Sequence, residues 1–207
     1  MALMGPTRLA AVLFDLDGVI VNTFAYWLTV MNRAAVHYRA PAISAEDLRR
    51  TWGQSLQEDI RDSFPGHEAA ELEEFYRNEI PELVELLKVA PKAAAVLATL
   101  HRGGLATGLV TNASGFFART VVEHGRLSFD VLVTAEDVGR PKPAPVCVQL
   151  ACGRLSVRPS RALFVGDSPF DQKAAVAAGA HFAGIGDQVH TGLKLISLTD
   201  LLHMEAE

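Results

Sequence analysis

Four short clusters carry side chains with the types and spacing for joint chemistry. Asp15-Leu16-Asp17-Gly18 sets two carboxylates two residues apart, beside a glycine that frees the chain to turn sharply. One could serve as a nucleophile and the other as a general acid/base. Read alone, the pair could equally be a solvated turn. Thr111-Asn112-Ala113-Ser114-Gly115 offers a hydroxyl and, at the start of a helix, free N–H groups that suit an anion. The alternative is a plain N-cap by Asn112 or Ser114. Gly139-Arg140-Pro141-Lys142-Pro143-Ala144-Pro145 fences a lysine with prolines, which stiffens its loop and leaves it little freedom to lose. An ammonium fixed there could balance phosphate and carboxylate charge, whereas most lysines are merely solvated. Gly166-Asp167-Ser168-Pro169-Phe170-Asp171 suits Asp167 to a hard cation, with Asp171 behind it or bridged by water. Here too an N-cap by Asp167 or Ser168 is the plainer alternative.

The elements that must position these clusters follow from hydrophobic periodicity. Residues 9–14, 105–111, 131–134, 162–165 and 181–185 are short apolar runs of the kind buried on both faces of a parallel sheet. Residues 92–101, 114–124, 143–153 and 168–178 read as helices between them, with Pro143 or Pro145 opening the third. The alternation implies an α/β protein with a doubly wound parallel sheet. Such sheets bind ligands at the carboxyl ends of their strands, and three of the five strands end in the polar clusters above.

Residues 21–87 differ. They lack β-branched runs and read as helices at 24–38, 44–51, 56–63 and 68–87, separated by Pro41, Gly53 and Pro65-Gly66, with Pro81 as a kink or break. The chain is therefore expected to divide into an α/β core, 1–20 and 88–207, and an inserted all-helical cap, 21–87. Residues 199–207 read as a short terminal helix without chemistry.

Composition narrows the function. The 207 residues suffice for one sizeable core and a small second unit. Net charge is −5 with no long basic run, so nucleic acid is not the expected partner, while a local positive pocket for a small anion remains compatible. Cys147 and Cys152 lack the spacing and companions of a zinc or redox site and read as reduced core thiols. The apolar run at 9–14 is too short for a signal-peptide core or a membrane span, so a cytoplasmic protein with no membrane partner is expected.

Taken together and in this order, the four clusters resemble the signature motifs of haloacid-dehalogenase-like phosphohydrolases. Asp15-Leu-Asp-Gly-Val19 is similar to the first motif, Thr111 to the second, Lys142 to the third, and Gly166-Asp-Ser-x-x-Asp171 to the fourth, extended by Ala174–Gly179. The resemblance covers residues 9 to about 185 and implies a Rossmann-like core. The helical insert resembles, loosely, the cap of the phosphoglycolate phosphatase and β-phosphoglucomutase branch. The resemblance implies that Asp15 attacks phosphorus to form an aspartyl-phosphate, and that Asp17 protonates the leaving oxygen and then activates water. It implies phosphate binding by Thr111, the N–H of Asn112 and Lys142. It further implies Mg²⁺ held by Asp15, the backbone carbonyl of Asp17, and Asp167, with Asp171 behind them. Asn22 departs from the acidic residue that many relatives carry there, dropping a charge near the entry to the cap.

Within the family, a second Asp after the nucleophile favours phosphoryl chemistry over dehalogenation. The absence of any Lys before Lys88 argues against a Schiff-base hydrolase. Mutases of the branch carry a His where this chain has Trp27, although His37 lies nearby. The expectation is an Mg²⁺-dependent phosphatase acting on a small phosphorylated metabolite, such as a sugar phosphate or phosphoglycolate. A phosphosugar mutase is the alternative, and a non-catalytic binding protein a more distant one. Arg49, Arg50, Trp52 and Gln54, around the turn at Gly53, are candidate substrate contacts, with Tyr26 and Trp27 as further pocket candidates. The other histidines show no metal-ligand spacing.

Overall fold

The computed structural model describes residues 8–189 and 192–203. In chain order the elements are β1 (Ala11–Phe14), β2 (Val21–Asn22), α1 (Phe24–Tyr38), α2 (Ala45–Arg50), α3 (Leu56–Ser63) and α4 (Ala69–Leu83). There follow β3 (Lys88–Val89), α5 (Ala93–Arg102), β4 (Ala106–Val110), α6 (Gly115–His124), β5 (Val131–Val133) and α7 (Val146–Arg154). The chain continues through β6 (Ala162–Gly166), α8 (Pro169–Ala178), β7 (His181–Ile185) and β8 (Lys194–Leu195).

Every residue of β1 and β6 is buried, as the unbroken apolar runs require. Alternate side chains point to opposite faces of the sheet. Ala11, Leu13, Ala162 and Phe164 pack with Cys147, Val148, Ala174 and Ala175 of α7 and α8. Val12, Phe14, Leu163 and Val165 join the second cluster, which includes Val96 and Leu97 of α5 and Phe117 and Val121 of α6. Helices thus cover both faces, and the sheet is doubly wound. Cys147 and Cys152 are both buried and free, although five positions apart. A helix packed into a concave core buries a wider arc than one narrow stripe.

The six-stranded sheet runs β5-β4-β1-β6-β7-β8, with parallel pairing throughout. The chain winds from β1 towards β5 and then returns to the other side, so β1 sits at the point where strand order reverses. Crevices at such points are where open α/β sheets bind ligands. Register aligns the strand ends: Phe14 lies beside both Leu109 and Val165. Asp15, Thr111 and Asp167 therefore emerge along one edge.

Helices α1–α4 lie between β2 and β3, which pair antiparallel as Val21 with Val89 and Asn22 with Lys88. This ladder joins the strand leaving the sheet to the strand returning to it. Two-residue strands carry no periodicity, and the sequence reading missed β2, β3 and β8. Pro81 does not break α4: the helix runs through it to Leu83, and a 3₁₀ turn at Val84–Leu86 follows. Pro81 removes one backbone hydrogen bond, but burial of Ile80 and Leu83 on either side holds the turn. Helix α7 starts after Pro145, not at Pro143. At the C-terminal end the described residues form a 3₁₀ segment, Leu198–His203, and the expected helix beyond residue 203 lies outside them. Among the described residues no helix is long and apolar enough to cross a membrane.

Candidate active site

Lys142 organises the site. Its side chain is 2% exposed, and Nζ donates to Asp15 Oδ1 at 2.6 Å, Asp171 Oδ1 at 2.6 Å and the Val110 carbonyl at 3.3 Å. Three acceptors match the three N–H bonds of an ammonium. Burial opposes the charge, but the Asp15 and Asp171 carboxylates outweigh it and push the lysine pKa up. The lysine loop is held by Asn112, whose Oδ1 accepts from the Lys142 N–H at 2.8 Å and whose Nδ2 donates to the Lys142 carbonyl at 3.0 Å. The same Nδ2 also donates to the Gly53 carbonyl at 3.0 Å, tying the helical insert to the core.

Asp15 follows β1 directly and is 3% exposed. Burial raises its pKa well above the usual carboxylate value, the Asp171 charge adds to this, and Lys142 opposes it. Asp17 is half-buried at the next turn. Its Oδ1 accepts from the Thr23 hydroxyl and, at 2.8 Å, from the Trp27 indole N–H. Burial pushes Asp17 up, while these two hydrogen bonds pull it down. Gly18 is required here on two counts. Its φ is +75°, and a β-carbon would fall 1.8 Å from Asp167 Oδ2.

Asp167 sits at the end of β6. Its Oδ2 accepts from the Trp52 indole at 2.8 Å, whereas its Oδ1 is buried and has no hydrogen-bond partner. Burial pushes Asp167 up to about 7, with Asp171 adding and Trp52 opposing. Asp171 completes a capping box with Ser168 at the start of α8, so Ser168 is indeed the N-cap. Carboxylate oxygens of Asp15, Asp167 and Asp171 lie within 4.8 Å of one another. An all-oxygen donor set with an orphaned buried carboxylate oxygen fits a hard divalent cation.

Thr111 is buried, and its Oγ1 accepts from the Ala113 N–H at 3.0 Å, which leaves the hydroxyl proton for another acceptor. The N-terminus of α6 is less open than the sequence suggested. The Gly115 N–H donates to Glu136 and the Phe117 N–H to the Ser114 hydroxyl. The anion-binding reading therefore rests on Thr111 and the adjoining backbone, and the N-cap reading of Ser114 holds as well.

A cavity of about 100 Å³ lies over these groups. Its floor is Asp15, Asp17, Thr111, Asn112 and Lys142, and Trp52 and Gln54 line its upper wall together with Tyr26 and Trp27. Arg49 and Arg50 do not line it. The Arg49 guanidinium lies over the Phe24 ring, 4.8 Å from its centroid, and exposed Arg50 pairs with Asp47. His37 packs against Tyr38 and Phe75. The sequence reading missed Asp59, Glu73, Tyr76, Arg77 and Phe116, which also line the cavity. They belong to ordinary amphipathic helices, and no local signal marks them.

Comparison with known proteins agrees with this geometry. The family described as haloacid dehalogenase-like hydrolase matches residues 12–185. The chain is 30% identical to pyrophosphatase PpaX of Bacillus velezensis, over 97% of this chain and 98% of that one. It is 29% identical to phosphoglycolate phosphatase of Salmonella typhimurium, over 86% of this chain and 81% of that one. A solved structure of β-phosphoglucomutase from Clostridium difficile shares the fold, with a TM-score of 0.78, 22% identity and 93% of each chain covered.

Proposed function

This chain belongs to the haloacid dehalogenase-like hydrolase family, and we propose that it hydrolyses a small phosphomonoester with Asp15 as the nucleophile. The observation that carries the reading is the Lys142 ammonium held 2.6 Å from Asp15 Oδ1 on the cavity floor. It supports an ionised carboxylate in a buried place and offers positive charge to an incoming phosphoryl group.

In the proposed reaction an Asp15 oxygen attacks phosphorus, and the bond from phosphorus to the leaving oxygen breaks. Asp17 supplies the proton that the leaving oxygen takes up. The product is an acyl-phosphate on Asp15. Asp17, now a carboxylate, takes a proton from water as that water attacks phosphorus, and Asp15 departs. Trp27 and Thr23 hold Asp17 in place through both steps. Thr111 and the Asn112 N–H receive the phosphoryl oxygens. Asp15, Asp167 and the Asp17 backbone carbonyl would hold Mg²⁺, with Asp171 behind them. When bound, the cation would offset the repulsion between Asp15 and an anionic substrate.

Residues 21–87 would act as a cap on a core of residues 1–20 and 88–207, pivoting at the β2–β3 ladder and excluding water when closed. Hydrolysis is favoured over phosphosugar mutation because Trp27 stands where mutases of the branch carry the His that positions their general acid/base.

The test is phosphate release from a panel of phosphomonoesters, by wild type and Asp15→Asn, with Mg²⁺ and with a chelator. Metal-dependent turnover that Asp15→Asn abolishes is the expected result. Release by Asp15→Asn at the wild-type rate would rule out this nucleophile.

A further inference from the structure

The upper half of the cavity reports on the part of the substrate that leaves. Two of its tyrosines, Tyr26 and Tyr76, are buried, at 0% and 6% exposure, yet neither hydroxyl has a hydrogen-bond partner. Both hydroxyl oxygens are closed off from the cavity, so the tyrosines contribute their rings to it. Both rings pack on Trp27, with centroids 5.2 Å and 5.7 Å from it, and Trp27 donates to Asp17. The two rings therefore build the wall nearest the group that protonates the leaving oxygen.

Charge on this wall points the same way. Asp59 lines the cavity, and Gln54 donates to one of its oxygens at 2.7 Å, leaving the other for a ligand. Burial raises the Asp59 pKa to about 7 despite that hydrogen bond, so the carboxylate lacks the cation that would normally hold it ionised. Glu73 adds a second acid. Arg77 is the only cation among the described lining residues apart from Lys142. It is half-exposed and already engaged, 3.5 Å from Glu73 and 4.5 Å over the Phe116 ring. A second carboxylate or phosphate on the substrate would face Asp59, which no cation pairs, and an Arg77 already engaged by Glu73.

We propose that the preferred substrate is a small phosphomonoester whose leaving group carries hydroxyl or amine donors and no second anion, received by Asp59. This rests on the phosphatase reading above and narrows it. It separates this chain from the anionic substrates that the names pyrophosphatase and phosphoglycolate phosphatase state for its relatives.

The experiment compares glycerol 3-phosphate and phosphoethanolamine with phosphoglycolate and pyrophosphate. Two readouts run in parallel: kcat/KM on wild type, and Kd on Asp15→Asn from the fluorescence of Trp27 and Trp52, which both line the cavity. We expect the first pair to be preferred by at least about tenfold, as repulsion of a second anion near Asp59 requires. Asp59→Asn, which keeps the shape of the wall, should narrow that ratio about fivefold or more, whereas Tyr76→Phe should leave it unchanged. Tyr76→Phe should also melt no lower than wild type, since it deletes a partnerless hydroxyl. Equal or better use of phosphoglycolate or pyrophosphate would overturn the proposal and leave the phosphatase reading standing. So would an unchanged ratio in Asp59→Asn. If wild type releases no phosphate from any compound, the hydrolytic reading fails by itself, and the Kd ratio still decides the ligand class.

Discussion

Lys142→Met should destabilise the fold strongly, and more at alkaline than at acid pH. Methionine keeps much of the side-chain length but leaves Asp15 and Asp171 facing each other without a cation. At 2.6 Å and an effective dielectric of about 20, each carboxylate attracts the ammonium by about 6 kcal/mol. Desolvation of the three groups cancels much of this, and removing one partner of a buried pair costs about 3–5 kcal/mol in practice. That is a large part of the ~5–15 kcal/mol that stabilises an ordinary domain, so the variant is expected to fold only marginally.

The pH dependence has a definite sign. The folded pKa of Asp15 is already raised by burial and by Asp171, and Lys142 opposes the rise. Without the lysine it rises further. The folded state then keeps a proton that the unfolded state has released, so stability falls as pH rises above the ordinary carboxylate range. Lys142 itself, with its pKa raised in the fold, contributes fully below its unfolded value and so at both test conditions. Urea unfolding at about pH 5.5 and about pH 8 reads the difference, and the deficit should be smaller at the lower pH. Adding Asp171→Asn removes one of the two stranded charges and should recover at least about 0.5 kcal/mol of the loss in a double-mutant cycle. A deficit below about 1 kcal/mol, or one equal at both pH values, would refute the view that Lys142 neutralises these two carboxylates.

Three further outcomes are expected. Trp27→Phe deletes a hydrogen bond to a carboxylate worth about 1.5–3 kcal/mol, and with Thr23 still in place kcat should fall about tenfold at unchanged KM; unchanged initial rates would deny Trp27 its positioning role. Gly18→Ala forces a left-handed residue at about 1–2 kcal/mol and drives a β-carbon into Asp167, so calorimetric titration should show weakened Mg²⁺ binding along with a lower melting temperature. Mg²⁺ at about a hundred times its Kd should stabilise wild type by about 2.7 kcal/mol, and Asp167→Asn should abolish that gain; a variant still stabilised to the same extent would exclude Asp167 as a ligand.

Much of this molecule is determined locally. The apolar runs at 9–14 and 162–165 had to be strands buried on both faces, and the polar turn residues after them had to gather at one edge, because a parallel sheet exposes only its strand ends. Asp15, Thr111, Lys142 and Asp167 were legible for that reason: each is tied to a strand end or to a proline-stiffened loop, and both signals lie within a few residues. The helices of the insert were legible as helices, and α1 and α3 have the expected bounds.

Which way those helices face was not. Each step along a helix turns a side chain by about 100°, so Arg49 lies over Phe24 and Arg50 pairs with Asp47, while Trp52, just past the end of α2, reaches Asp167 across 115 positions of sequence. Asp59, Tyr76 and Arg77 share one cavity only because α4 packs against both α1 and α3 and β2 pairs with β3. Asn112 holds the Lys142 loop for the same kind of reason, through contacts 30 residues apart. The sequence determined the candidate groups at the strand ends because their signals are local; the tertiary structure alone decided the cavity wall, because long-range packing sets the rotation of each helix and no short segment encodes it.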